Sequence, residues 1–435
     1  MSTNGTFSDQ VTSLPGLRML EGVQFSGYAS VNGAHCQPDT DESLFYWFVG
    51  TEDYASRPTI LWTNGGPGSS SFWGFFLENG PLEVGTGADW DSISEGVVTY
   101  RPTGWNTQAN YLIFEHPLTV TLSFAKDENN VPDNVGDGID QFYEALQSFL
   151  SEHPEIRENE ILLAGESYGG TYVPLLAKAI LAGNTAGRSN INLKGNILIS
   201  GWVNPLIQQS MDSTYAFTHG LINQAQKEVV DGLYEQCAIE INKAEGGATS
   251  KAAADACGKI QTQIKEFSGR DYMLNILQEG DPSTVLAQAY LNNKDVREAI
   301  HVPAVSDEAP AVTAFSSDTI YQAYMVGMEN AYTDVVQSQV NGGLQTMVIS
   351  GLADGTDVNF LGVGAWIAEM TGDNFTDYHS ATPAAWYVDS QKEPLGNIQQ
   401  GTHFSWLRVV GGGHLCVRDQ PKIIDKIMET FYGDA

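Results

Sequence analysis

Two rhythms of apolar and polar residues take turns along this chain. Phe25-Ser-Gly-Tyr-Ala-Ser-Val31 and Ser43-Leu-Phe-Tyr-Trp-Phe-Val49 alternate residue by residue and are separated by a polar turn, so both read as strands. Shorter apolar runs at 59–63, 111–114, 161–164, 193–199 and 345–349 read as buried strands. Between them, Ile139, Phe142, Leu146, Phe149 and Leu150 recur at helical spacing, which predicts a helix with one face packed inward. A second helix is predicted over 175–181. Strands alternating with helices imply an α/β fold, a mixed and mostly parallel sheet covered on both faces. From residue 206 to 286 the character changes to Ala-, Gln-, Glu- and Lys-rich helix with few strand signals. This predicts a helical insertion capping the carboxyl edge of the sheet, between core segments 1–205 and 287–435.

The chemistry concentrates where one predicted strand meets a helix, at Gly165-Glu-Ser-Tyr-Gly-Gly-Thr-Tyr-Val-Pro174. Gly165-x-Ser167-x-Gly169 in that setting is the nucleophile elbow of α/β-hydrolases, whose glycines allow a turn tight enough to hold the serine hydroxyl clear of the backbone. The NH of Tyr168 then points to where an oxyanion would form. Serine is a weak nucleophile that needs a base, and the base needs a carboxylate to orient it; in this fold they follow in the order Ser, Asp or Glu, His. His414 ends a glycine-rich loop, Val409-Val-Gly-Gly-Gly-His414, free enough to approach a serine. The strand at 345–349 leads into Gly351-Leu-Ala-Asp354, making Asp354 the leading carboxylate and Asp357 the runner-up. Asn64-Gly65-Gly66-Pro67-Gly68 follows an early strand, and its glycine backbone can lie close to a substrate carbonyl, so the NH of Gly66 is the second expected oxyanion donor.

Charge narrows the partners. The 435 residues carry a formal net charge of −32 spread along the chain, which disfavours nucleic acid and anionic membranes. No stretch reaches the roughly 18 apolar residues of a membrane-spanning helix. The expected partner is a peptide or small acyl substrate. The first thirty residues lack the charged start and apolar run of a signal peptide, which predicts either a cytoplasmic chain or a secreted, vacuolar or lysosomal one whose leader has been removed. The four cysteines have no zinc spacing, and no metal or cofactor is expected. Cys237 and Cys257 fall on two short predicted helices joined at Gly246-Gly247, where a disulfide would staple the hairpin and stabilise it by roughly 3 kcal/mol. Cys36 and Cys416 have no evident partner. An acidic run, Asp127, Glu128, Asp133 and Asp137, does not fit a calcium loop and reads as solvated.

Six motifs then carry a resemblance. Trp62-Thr-Asn-Gly-Gly-Pro-Gly-Ser-Ser70, Glu78-Asn-Gly-Pro81, Trp105-Asn-Thr-Gln-Ala-Asn110, Gly165-Glu-Ser-Tyr-Gly-Gly170, Tyr290-Leu-Asn-Asn-Lys-Asp-Val296 and His414-Leu-Cys-Val-Arg-Asp-Gln-Pro421 occur in order from about residue 23 to the end. In these the chain resembles the serine carboxypeptidase family. The resemblance implies Ser167, Asp354 and His414 as the triad and Gly66 and Tyr168 as oxyanion donors. It implies Trp62, Asn64, Gly65, Glu78 and Glu166 as the binders of a peptide's terminal carboxylate. Two carboxyl groups beside a bound carboxylate cannot all stay ionised, so at least one of Glu78 and Glu166 should hold a proton, which favours acidic pH.

The departures matter too. Where the family usually has Asp-Gln-Pro and a Gly-Thr-Gly-Phe-Ser-Tyr loop, this chain has Glu115-His-Pro117 and Thr119-Val-Thr-Leu-Ser-Phe124. Threonine in place of two glycines predicts either a backbone that avoids positive φ there or a loop that has moved. His116 reads as a histidine filling a slot at a strand end. Ser69 stands where many relatives have a bridging cysteine, and Leu415, in the leaving-group pocket, where many have methionine. The leading function is a serine carboxypeptidase working through an acyl-enzyme. An acyltransferase or a specialised biosynthetic hydrolase would use the same triad, and a non-catalytic protective protein is the reading from another class. Release of free amino acid from blocked dipeptides separates the first two, and labelling of Ser167 by a fluorophosphonate separates the third.

Overall fold

The computed structural model describes residues 8–31, 42–85, 93, 96–125, 127–244, 246–306, 309–388 and 392–433. Along these run β1 (Gln24–Ser30), β2 (Ser43–Val49), β3 (Thr59–Thr63), β4 (Leu82–Val84), β5 (Val98–Tyr100), β6 (Asn110–Phe114), β7 (Ile161–Glu166), β8 (Leu193–Ile199), β9 (Gln345–Gly351), β10 (Ala384–Trp386), β11 (Gly396–Gln400) and β12 (Phe404–Val409). Ten of them form one sheet in the order β1-β2-β6-β3-β7-β8-β9-β12-β11-β10, and β4 pairs with β5 apart from it. The six central strands, β6 to β12 in that order, run parallel. Antiparallel pairs extend the sheet at both ends.

Alternation along each strand sends side chains to two separate cores. Leu61 and Leu163 pack on one face with Phe142, Leu146 and Phe149. Ile60, Trp62, Leu162 and Ala164 pack on the other with Phe72, Phe75 and Ile427. The helix Val135–Glu152 buries Ile139, Phe142, Leu146, Phe149 and Leu150, the face expected from its spacing, and Asn134 caps its start by accepting from the NH of Asp137. Asp127, Glu128, Asp133 and Asp137 are exposed at this entry. The helix after the elbow spans Gly169–Thr185, six residues earlier than the apolar run alone indicated, with Pro174 inside it.

Strands β10, β11 and β12 were not anticipated, because Gly396-Asn-Ile-Gln-Gln400 is polar and β12 mixes Ser405 and Arg408 with buried aromatics. β12 matters most, since it leads into the His414 loop. After β8 come the helices Pro205–Gln209, Asp212–Thr218, Gln224–Asn242 and Lys251–Ser268. Cys237 and Cys257 form the expected disulfide between the last two, beside Ile241, Ile260 and Ile264. Cys416 is a free, buried thiol, and Cys36 lies outside the described residues. Ser69, which cannot form the bridge of many relatives, pairs by backbone with Ser316 instead; Ser70 N donates to Phe315 O at 3.0 Å and Ser317 N to Gly68 O at 2.8 Å. Among the described residues no helix is long and apolar enough to cross a membrane, and no group of three or more His, Cys, Asp or Glu is arranged to hold a metal ion.

Candidate active site

The carboxyl ends of β3, β6, β7, β9 and β12 face one way, and the loops that follow them gather the expected residues, as open α/β sheets do. At the end of β7, Ser167 takes a left-handed backbone with φ 61°. A non-glycine residue is strained there by roughly 1–2 kcal/mol. The turn is held by Ser167 N donating to Ile199 O at 3.0 Å and by Trp202 N and Gly170 N, each donating to Ser167 O at 2.8 Å. Gly65 lies hard against this elbow: a Cβ there would sit 2.3 Å from Tyr168 N and 2.7 Å from Glu166 O. Gly66, with φ 104°, follows at once, so the expected oxyanion loop touches the expected nucleophile.

At the end of β9, Asp354 is 1% exposed and its Oδ2 lies 3.0 Å from His414 Nδ1. Its other oxygen accepts from Thr356 N at 2.9 Å and Thr356 Oγ1 at 2.7 Å. Those two bonds fix which oxygen faces the histidine. The Asp354-Gly-Thr356 spacing is a local side-chain turn that sequence alone could have marked. The His414 loop is clamped on three sides. Ala353 N donates to Gly412 O at 2.8 Å, Ser200 Oγ to His414 O at 3.1 Å, and His414 N to Leu274 O at 2.5 Å. Asn275, from the segment returning out of the cap, donates to Asp419 Oδ2, which also accepts from Gly413 N. Thr356, Ser200 and Asn275 are positioning residues that the motif reading passed over.

Burial favours the neutral ring of His414, but Asp354, Asp357 and Glu78 together outweigh it and raise its pKa above the ordinary histidine value. Asp357, the runner-up carboxylate, makes no hydrogen bond to the ring like that of Asp354, and burial pushes it up to about 6.

The third group sits beneath the loop after β3. Asn64 Oδ1 accepts from Trp62 Nε1 at 2.8 Å and Gly74 N at 3.0 Å, which leaves its amide nitrogen to donate. That nitrogen reaches Glu78 Oε1 at 3.0 Å and Glu166 Oε1 at 3.4 Å. Glu78 and Glu166 are buried and hydrogen-bonded to each other, a contact that requires a proton between two carboxyl groups. Burial raises both; the charge of Glu78 pushes Glu166 well above the usual carboxylate range. The second oxygen of each has no other hydrogen-bond partner among the described residues. Asn64, Gly65, Gly66, Glu166, Ser167 and His414 all line one cavity of about 220 Å³, and Leu415 forms part of its apolar wall.

The loop after β6 overturns the first of the two alternatives expected for it. Its backbone does not avoid positive φ: Thr119 has φ 75° and Thr121 φ 43°. Each threonine hydroxyl is put to use there. Thr119 Oγ1 lies 3.2 Å from Ser317 Oγ, and Thr121 Oγ1 donates to Glu115 Oε2, which also accepts from Ser70 Oγ at 2.5 Å. Burial lifts Glu115 to about 7. His116 fills its slot as expected, stacked on Phe142 with ring centroids 4.4 Å apart, and burial drives its pKa down to about 3, so it is neutral.

With this geometry in hand, the likenesses to known proteins are specific. The family profile described as serine carboxypeptidase matches residues 15–434. Serine carboxypeptidase 3 of Hordeum vulgare is 26% identical over 98% of this chain and 82% of its own length. Serine carboxypeptidase-like 47 of Arabidopsis thaliana is 28% identical over 94% of this chain and 78% of its own. The crystal structure of Kex1(delta)p, a prohormone-processing carboxypeptidase from Saccharomyces cerevisiae, superposes with a TM-score of 0.81 at 20% identity, covering 97% of this chain and 95% of that one. That likeness speaks to the fold, which is the α/β-hydrolase fold. The chain belongs to the serine carboxypeptidase family and is a serine hydrolase of the carboxypeptidase type.

Proposed function

We propose that the protein removes the C-terminal residue of a peptide through an acyl-enzyme. In this reading Ser167 Oγ attacks the scissile carbonyl and His414 takes its proton, then returns it to the leaving amine. Asp354 holds the ring and supports its charge, while the NH groups of Gly66 and Tyr168 bind the oxyanion. Water then attacks the ester carbon, His414 again accepting the proton, and the shortened peptide leaves with Ser167 restored. The observation that carries the exopeptidase reading is the Asn64–Glu78–Glu166 cluster, whose Asn64 and Glu166 line the same cavity as Ser167 and His414 while Glu78 is buried behind them. Trp62 fixes Asn64, and Gly65 leaves room beside it. With the pair protonated, Glu166 offers a donor to a terminal carboxylate while Glu78 supports it from behind; ionised, the pair repels that carboxylate.

The two halves of the site are coupled in favour of acidic pH. Glu78 supports the charged form of His414. When Glu78 is protonated that support falls away, and His414 becomes a competent base at lower pH. The test is turnover of N-blocked dipeptides between pH 4.5 and 9. Release of the free C-terminal amino acid, lost in Ser167→Ala, supports the reading. Transfer of the acyl group to an added alcohol in preference to water would assign acyl transfer instead, and failure of Ser167 to react with a fluorophosphonate would sink both.

A further inference from the structure

The segment returning from the helical insertion runs between the two loops that carry Asp354 and His414. Met273 O accepts from Gly355 N at 2.9 Å and Ile276 N donates to Ala353 O at 2.9 Å, while between them Leu274 O accepts from His414 N at 2.5 Å. One side of this strap thus holds the residues flanking Asp354, and the other holds His414. The fit is close: a Cβ on Gly413 would sit 2.3 Å from Leu274 O, and one on Gly355 2.6 Å from the Ile276 side chain. Met273, 2% exposed, is packed into the core of the insertion with Cys237, Cys257 and Ile264. Leu274 also lines the cavity of Ser167, together with Trp73 and Asp281.

A single carboxylate joins this strap to the chain just before His414. Asp419 is half-buried at the end of the short helix Cys416–Asp419. Its Oδ2 accepts from Gly413 N and from Asn275 Nδ2, both at 2.8 Å, and its Oδ1 accepts from Gln278 Nε2 at 2.9 Å. Gly413 N is therefore held by Asp419 and His414 N by Leu274. Holding two successive peptide groups fixes the direction of the Cα–Cβ bond that carries the ring.

We propose that Asp419 is a positioning residue for the reaction: by tying the strap Met273–Gln278 to the chain before His414, it sets where the ring stands between Asp354 and Ser167. The inference rests on the roles given above to Ser167 and His414 and adds a group that touches no reacting atom. Hydrogen bonds to a carboxylate are stronger than neutral ones, and a reacting group displaced by about 1 Å costs on the order of 100-fold in rate. Asp419 acts through its charge as well. Burial raises Glu166 and the charges of Glu78, Asp354 and Asp419 add to it, while burial raises Glu78 against the opposing charges of His414 and Arg418. Taking the charge of Asp419 away lets the pair ionise at lower pH.

Asp419→Asn and Asp419→Ala separate shape from charge. The asparagine oxygen can still accept from Gly413 N and Asn275 Nδ2, and Gln278 can turn its amide over to accept from the new NH2. With an N-blocked dipeptide, kcat should stay within a few-fold of native in Asp419→Asn and fall about 100-fold in Asp419→Ala. In both, KM should begin its rise with pH at a lower pH than in the native protein. The rate at which a fluorophosphonate labels Ser167, which needs His414 but no peptide, should follow the order of kcat, every variant being assayed well below its melting midpoint. Asn275→Ala with Gln278→Ala leaves Asp419 in place and frees the strap from it, so labelling should slow about tenfold. Equal losses in Asp419→Asn and Asp419→Ala, or native labelling in Asp419→Ala, overturn the inference. Native labelling in the Asn275→Ala/Gln278→Ala variant overturns it even if Asp419→Ala does not fold. Absence of peptide hydrolysis by the native protein, with labelling lost in Asp419→Ala and kept in Asp419→Asn, overturns the peptidase reading alone.

Discussion

Replacing Glu78 and Glu166 together by glutamine isolates the one function the pair is given. Glutamine has the same shape, so its oxygen can keep accepting from Asn64 Nδ2, now 3.0 and 3.4 Å from the two carboxyl groups. Its NH2 then stands where the second carboxyl oxygens lack other partners. Donors that the native protein offers only while protonated become permanent. In the native protein the protonated fraction falls about tenfold per pH unit above the pair's titration. The penalty on binding levels off at the worth of a charge-assisted hydrogen bond, about 1.5–3 kcal/mol, or roughly 10- to 150-fold in KM. Initial rates with an N-blocked dipeptide from pH 4.5 to 9 should show native KM climbing by that factor while kcat follows the deprotonation of His414. The double variant should start within a few-fold of native KM at acidic pH and stay flat. A dipeptide amide, which has no terminal carboxylate, should show no such climb with either protein. Parallel rise of KM in native and variant, or a flat native KM, would refute the assignment of the pair to the substrate carboxylate.

Three further outcomes follow from contacts already described. Asp354→Asn should keep its oxygen toward Thr356 and turn NH2 toward His414 Nδ1, forcing the tautomer that cannot take the proton of Ser167; kcat should fall by about 10⁴ with KM nearly unchanged. Gly65→Ala puts a methyl group 2.3 Å from Tyr168 N, so a thermal melt should show a loss of about 1–3 kcal/mol and peptidase assays a fall above roughly 100-fold, and wild-type kinetics would exclude the close packing. Burial lifts Glu329 to about 8 from 4.5, so its proton is held more tightly in the folded chain. Its stabilising effect is present below pH 4.5 and is lost as pH climbs through 8, a change of roughly 5 kcal/mol over the whole window. Urea unfolding at pH 5 and pH 8.5 should therefore show a smaller loss in Glu329→Gln, whose amide oxygen still accepts from Gln209, and equal losses would contradict the burial argument.

The sequence was legible wherever a local rule forces a residue. Gly165-x-Ser167-x-Gly169, the glycine run before His414 and the buried face of Val135–Glu152 all follow from steric or periodic constraints within a few residues. β9 and its exit to Asp354 could be read the same way. β11 and β12 could not, because their residues are chosen by neighbours in the sheet: Ile398 opposite Leu407, and Trp406 beside Val348. The Thr119–Thr121 backbone was hidden for a similar reason. Its positive φ values are sustained by contacts to Ser317 and Glu115, one of them nearly two hundred residues distant. The pocket of Asp281, Leu274 and Trp73 was likewise silent, since only the return of the chain from the cap brings those three together.

The backbone pairing of Ser69 with Ser316 has a consequence for the conditions this protein tolerates. Where many relatives use cysteine, the loop carrying Gly65 and Gly66 is tied to the segment after the cap by N–H to O=C bonds. Thiol reductants have no purchase on that tie. The disulfide among the described residues is Cys237–Cys257, inside the helical insertion and away from the strands that set Ser167 and Asp354. Reductant should thus spare that tie and act on the two helices joined by Cys237–Cys257, reaching the site only through Leu274 and Asn275, which follow those helices and clamp the His414 loop.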